Sequence, residues 1–462
     1  MVASPGEMSR SKKGPRADRA RRAPQRPAAR AADPRRRGLH SPRLQLVLYS
    51  LLLVATPFIL LRNFLQDAIG RLSAATVTLA GIDLPVVLLT AGGLLAAHLL
   101  CFRPRLTGRR LLAAALALAM VALAQQFTDY YFGHRFYELQ QNWHFIAYAL
   151  FAFFVFRDQR SRGASPARFA GVTIALAAAF STFDEGFQLF ISNRVFDMGD
   201  IAKDVWGALI GVTAIFVGRE PAAPIAPEPG GSTACASATW GALSWQALRQ
   251  TPLRHRRLAA YLHHAPSLWL QLTALGFVFL VVSSLLTEIR YAGAILLVTG
   301  GIYAVCFTLF HLSQYRAARI ALTAALLIAI AIQSFSFARQ HDQGITHARP
   351  GLLVYRGIPV PFFDVMIFPD GRFRLVDKKH YFSNRDRTFF LRLRPDIIVI
   401  GAGHEGLGGR GFPRAATTQF LYNPFTRRGT QVIILDTPDA CRRCNELREA
   451  GKRVLCVLHT TC

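Results

Sequence analysis

The feature that most limits this chain is a repeated one: strongly apolar runs of around twenty residues return along most of its first 340 positions. A helix of that length spans a bilayer, because each residue adds about 1.5 Å against a hydrocarbon core roughly 30 Å thick. A soluble chain of 462 residues would interrupt its cores with polar surface instead. Runs near 44–62, 84–102, 111–127, 143–156, 168–188, 201–217, 267–286, 291–312 and 319–337 predict about nine transmembrane helices. The fold class is therefore a polytopic α-helical membrane protein, to which a soluble C-terminal α/β domain is attached.

Charge placement separates this reading from nucleic-acid binding. The net charge is +27, but residues 1–43 alone hold thirteen Lys/Arg against three Asp/Glu, and much of the remaining excess lies between apolar runs. Residues 1–42 mix Arg with Pro, Ala and Ser, lack apolar periodicity and are expected to be a disordered basic tail. The run at 44–61 is too long for a cleavable signal, so the first helix is expected to stay in the membrane. Its basic flank predicts a cytoplasmic N-terminus. Arg103, Arg105, Arg109 and Arg110 fill one connection, Arg157, Arg160, Arg162 and Arg168 another, and the stretch between holds only Arg135. Nine crossings put the C-terminus outside; eight or ten keep it in the cytoplasm.

Residues 43–217 form a first membrane unit, and 266–338 supply three further helices with few ionisable groups. Between them, 218–265 opens with a Pro-rich linker and continues with Trp240, Leu243, Trp245 and Leu248 ahead of Arg254, Arg256 and Arg257. That second part reads either as an amphipathic helix on the membrane surface or as a solvated connector. From about 350 the period changes. The segments 363–368 and 372–376 flank Pro369-Asp370-Gly371 as a hairpin, 396–400 and 431–435 are buried strands, 440–450 a helix and 453–459 a last strand.

The chemistry concentrates at 181–211. Glu185 and Gln188 share a helix face; Asp200 and Asp204 share another, which continues into Gly207 and Gly211. Gly207-x-x-x-Gly211 lets a neighbouring helix approach closely. Ionised groups are expensive in lipid and need partners, for which Arg194 and Lys203 are the nearby cations. Asp197 reads either as part of this polar site or as a cap on the following helix. His144 adds a titratable group on the same side, with Tyr148 a turn further on. The candidate site is thus His144, Glu185, Gln188, Arg194, Asp197, Asp200 and Asp204, with no metal and no cofactor expected.

These residues, Glu185-x-x-Gln188 followed by Arg194, Asp197, Asp200 and the Gly207/Gly211 pair, and preceded by His144-Phe145, resemble the VanZ-like membrane family over about 110–217. Where that family usually has Lys and Asn, this chain has Gln141 and Asp204. The resemblance implies a multi-pass protein of the bacterial cytoplasmic membrane, linked to envelope composition and lipoglycopeptide tolerance. Partners implied are membrane lipids and an envelope precursor or glycopeptide; a guanidinium suits phosphate. A membrane-embedded hydrolase or transferase acting on a lipid-linked substrate is the first alternative, a proton-coupled transporter the second.

In the soluble domain, Gly401-Ala-Gly403-His-Glu-Gly406 has the spacing of a dinucleotide loop, but Gly408, Gly409, Gly411 and Pro413 follow where a helix is needed, so a mobile loop is expected. Cys441-x-x-Cys444 with Cys456, His459 and Cys462 can be redox-active, zinc-binding or disulfide-linked, and ordinary cysteines are the reading preferred. The ordered string Pro395–Gly403, Asp436-Thr437, Asn445-Glu-Leu, Gly451–Val454 and His459-Thr-Thr-Cys462 resembles the small α/β family that includes the adipogenesis-associated protein and a mitochondrial complex I assembly factor. That resemblance, over about 350–462, implies a compact three-layer module that binds or assembles with a protein partner.

Overall fold

The structure is a computed structural model that describes residues 41–59, 68–69, 71–72, 75–79, 82–102, 107–128, 139–190, 196–218, 257, 261–262, 264–378, 381–382, 384–412 and 418–461. The basic tail, nearly all of the Pro-rich linker with its Trp-containing continuation, and Arg194 lie outside the described residues.

Among the described residues nine helices occupy the apolar runs: α1 Pro42–Ile59, α2 Val86–Phe102, α3 Gly108–Phe127, α4 Leu139–Ser161, α5 Pro166–Gln188, α6 Met198–Gly218, α7 Ala265–Leu285, α8 Ala292–Leu312 and α9 Arg316–Gln340. Their starts follow local chemistry. Thr107 and Ser165 each accept from the backbone N–H three residues on, and Pro166 opens α5 where its missing N–H costs nothing. Among the described residues six spans, α3, α5, α6, α7, Ile289–Leu312 and α9, are long and apolar enough to cross a membrane. Of the nine expected crossings, six are thus supported by length and composition among the described residues. The helix α2 has 17 residues, the apolar part of α1 is short, and α4 ends in Arg157, Asp158 and Arg160. A short hairpin, β1 Thr76–Leu79 and β2 Ile82–Pro85, precedes α2 and was not foreseen.

The bundle centres on α6, most of which is buried. Its core includes Phe151, Phe169, Trp206 and Leu209, with the Trp206 indole N–H donating to Met120 O at 3.0 Å. The contacts identify two ends. At one, Gln125 donates to Asn142 at 2.7 Å, and Met198 N donates to Thr287 O at 2.9 Å. At the other, the Arg109 guanidinium donates to Val217 O at 3.2 Å, Arg157 donates to Gln45, and Tyr261 meets His311 at 3.3 Å.

The soluble domain begins at Ile345, slightly before the expected boundary at 350, because β3 Ile345–Arg349 pairs with β4 Leu352–Tyr355, and β4 with β5 Ile358–Pro361. The six-stranded sheet runs β7-β6-β11-β8-β10-β9, with β6 Asp364–Ile367, β7 Phe373–Val376, β8 Ile397–Gly401, β9 Thr418–Asn423, β10 Arg428–Leu435 and β11 Val454–Leu458. The expected Asp370-Gly371 hairpin is present, and β8, β10 and β11 are mutually parallel at the sheet centre. One face packs on β3–β5 and on α11 Thr437–Glu449; the other packs on residues around α10 Asn384–Arg392. This second face also buries Leu285 among Met366, Val376, Phe382 and Phe390, with Phe127 and Val281 against it. The soluble domain therefore rests on the ends of α7 and α3.

Two expectations about this domain are corrected. Cys444 and Cys456 form a disulfide, while Cys441 stays a free, buried thiol, so the two cysteines of Cys441-x-x-Cys444 do not pair with each other. The cause is packing: α11 lies over β11 and sets Cys444 opposite the inward-facing Cys456. The 402–411 loop, expected to be mobile, is folded back on the strand ends, with Gly408 N donating to Ala402 O at 2.7 Å and Gly403 N to Thr437 Oγ1 at 3.0 Å. Among the described residues no helix directly follows Gly406, so the dinucleotide geometry is not formed there.

Candidate functional site

The polar site grows out of the close approach of α4 and α6. A Cβ on Gly207 would lie 2.8 Å from His144 O, and one on Gly211 would lie 2.6 Å from Ala149 O and from the Ala152 methyl. Absent those side chains, the backbones meet, and the first turns of α4 and α6 come level. His144 Nδ1 then lies 2.8 Å from Asp204 Oδ1. From the third helix, α5, Ser181 donates to the other Asp204 oxygen at 2.6 Å. One turn toward the helix start, Lys203 donates to Asp200 Oδ1 at 2.9 Å, and the same oxygen is 3.9 Å from His144 Nε2.

Exposure divides this cluster into a floor and a rim. The Lys203 and Asp204 side chains retain 5% exposure each, whereas His144 and Asp200 retain 24% and 27%. Buried charges persist only when paired, and here each buried ion holds a partner of opposite or ionisable character at the rim. The imidazole is held through Nδ1, leaving Nε2 toward Asp200; a histidine gripped this way keeps one ring nitrogen for exchange with a ligand.

A second pair lies beside it. Glu185, 2% exposed, accepts from Gln188 at 2.6 Å and from Asp197 N at 2.8 Å. The Asp197 carboxylate accepts from Gly199 N at 2.7 Å, as a residue capping α6 should. The structure therefore joins His144, Asp200 and Asp204 directly, sets Glu185 and Gln188 against the start of α6, and uses Asp197 as a cap. Ser181 was missed by the sequence reading; its signal was its place one turn before Glu185 on the same helix, weak because serine is common on such faces. Among the described residues no group of three or more His, Cys, Asp or Glu is arranged to hold a metal ion.

The soluble domain carries a separate buried polar knot. His459 Nδ1 donates to Asp364 Oδ2 at 2.7 Å; Thr460 N and Lys378 Nζ reach Oδ1 at 2.8 and 3.4 Å. Burial raises the Asp364 carboxyl, but the His459 hydrogen bond and charge, Lys378 and Thr460 N outweigh it and hold the group below the ordinary carboxylate range. This arrangement ties the end of β11 to the start of β6. Burial also pushes the Cys441 thiol up to about 12, which leaves it unreactive near neutrality.

Residues 112–219 match the family model described as VanZ/LLP1, and residues 351–459 match DUF498/DUF598, a family of unknown function. The chain thus joins a VanZ-like membrane segment to a C-terminal domain of that second family. No curated protein matches the chain. Solved structures similar to part of it include the following two. One, titled MT938, has 25% identity and a TM-score of 0.20, covering 26% of this chain and 98% of its own. The other, a conserved hypothetical protein PH1505 from Pyrococcus horikoshii OT3, has 23% identity and a TM-score of 0.21, covering 26% of this chain and 100% of its own.

Proposed function

We propose that this VanZ-like membrane protein binds the polar group of an envelope lipid or glycopeptide-related molecule at the His144–Asp200–Lys203–Asp204 cluster, within a bacterial cytoplasmic membrane that it crosses nine times. The observation that carries the reading is the rim of partly exposed His144 and Asp200 over buried, oppositely charged support. A rim with both a donor and an acceptor suits a head group that offers both, and lipid is the solvent on the neighbouring helix faces. Glu185, Gln188 and Asp197 fix where α5 meets α6. Arg194 belongs to the same proposal by its sequence position between those helices. The C-terminal domain serves as the binding or assembly module.

The test is co-purification. Extraction of wild type, Asp200→Asn and His144→Ala in mild detergent, followed by mass spectrometry of retained lipid, should show a bound class in wild type that both variants lose. Equal retention in all three would remove the site. One observation favours a second reading: an imidazole fixed by a buried carboxylate is the arrangement of a general base. A membrane enzyme would turn over a lipid-linked substrate in purified form and lose turnover, while keeping bound lipid, in His144→Gln.

A further inference from the structure

We infer that the C-terminal domain stands on the extracytoplasmic side, seated on the same end of the bundle as the His144–Asp204 cluster, so that its partner is an extracytoplasmic one. Three independent observations lead there. The first is geometric. The cluster end carries Phe127, His144, Gln188, Met198 and Leu285, as the Gln125–Asn142, Gly207–His144 and Met198–Thr287 contacts require. The soluble domain docks at that end three times over: Leu285 enters its core, Lys378 N donates to Leu285 O at 3.0 Å, and Gly357 O accepts from Gln333 and Ser336 of α9 at 2.9 and 3.2 Å.

The second observation is the partition of arginine between the two ends. Arg109, Arg110, Arg157, Arg160, Arg162, Arg168, Arg316 and Arg319 flank the opposite end, and in the sequence Arg103 and Arg105 belong to the same connection as Arg109, and Arg254, Arg256 and Arg257 to the one between α6 and α7. The sequence stretches that join helices at the cluster end contribute Arg62, Arg71, Arg135, Arg194 and Arg290. Short cationic stretches stay in the cytoplasm, which makes the cluster end the outer one. The third is chemical: Cys444 and Cys456 are joined, and such a bond persists in an oxidising compartment and not in the reducing cytosol. None of the three uses the others. Together they give a domain that meets envelope molecules on its own side of the membrane, next to the helix ends that frame the polar cluster.

Sidedness can be read without knowing any ligand, so this inference can fail while the binding proposal stands, and the reverse. In the full chain with Cys101, Cys235, Cys306 and Cys462 replaced by Ser, Glu449→Cys and Arg162→Cys are introduced one at a time and exposed to a charged, membrane-impermeant maleimide. Glu449→Cys should label in intact expressing bacteria and Arg162→Cys only after permeabilisation; the opposite pattern overturns the inference. As a measurement free of those substitutions, acid-quenched cells expressing the natural chain should show Cys444 and Cys456 blocked until reductant is added, and two freely alkylated thiols would overturn it equally. Seating is tested by Leu285→Asp. Without a partner an ionised carboxylate does not enter that apolar core, so protease cleavage between α9 and β3 should quicken by roughly tenfold or more. An unchanged rate would show that the domain does not sit there.

Discussion

Asp204 shows how much one side chain can organise: it receives an imidazole from α4 and a hydroxyl from α5 while standing on α6. An amide at this position keeps an acceptor for Ser181 and gives up the charge that faces His144; a methyl leaves both partners unanswered. Asp204→Ala should therefore lower the stability of the detergent-solubilised protein by about 1–3 kcal/mol, and Asp204→Asn by clearly less, as followed by thermal unfolding. Asp364 supports a second prediction at this scale. Because its folded carboxyl is held below the ordinary value, its contribution is complete above the unfolded carboxylate range and disappears as the pH falls through the lowered folded value, that is, below about pH 4. Acid titration of unfolding should show that loss in the wild type and a flatter limb in Asp364→Asn. The sequence placed His144 in one candidate site with Asp204 but not their direct contact across 60 positions, and it gave no sign of the Asp364–His459 pair, 95 positions apart. Spacing rules reach only one or two helical turns, which is why Glu185 and Gln188 were paired correctly while Ser181 was overlooked.

The elements were legible in proportion to how strongly their solvent dictated them. Lipid requires long apolar runs with internally bonded backbone, so helices stand near the expected runs, six of them long and apolar enough to cross. Strands β3, β5 and β9 and helix α10 carry short, mixed or charged sequences whose register is fixed by neighbours, and they were not resolved in advance. The β4–β5 turn makes the point in two residues. Arg356 and Gly357 both take positive φ, at 51° and 74°, and a side chain on Gly357 would meet Ser336 O at 2.6 Å. Only the folded pairing shows that this glycine serves both the hairpin and its contact with α9. The α4–α6 contact gives the prediction proper to this scale. Gly211→Leu inserts a branched side chain where the next backbone already lies, so it should destabilise the bundle by roughly 1–3 kcal/mol or more. It should also weaken lipid retention although it touches no charged residue; full retention with full stability would contradict the packing described.

For the molecule as a whole, the order of parts could be read directly, whereas their mutual seating could not, because Leu285 looks like any other residue of an apolar helix until the sheet closes over it. Removing residues 344–462 should leave membrane insertion intact and expose Leu285, Val281 and Phe127, so the shortened protein should unfold at lower temperature and aggregate more readily on detergent removal. The helix α9, none of whose residues is buried, has a different significance. It leads into the domain through residues 341–344, so a domain that slips off the end of α7 is still held beside it at an effective concentration on the order of millimolar. Reattachment is then rapid, and a modest patch of apolar contact is enough to keep the domain on its seat.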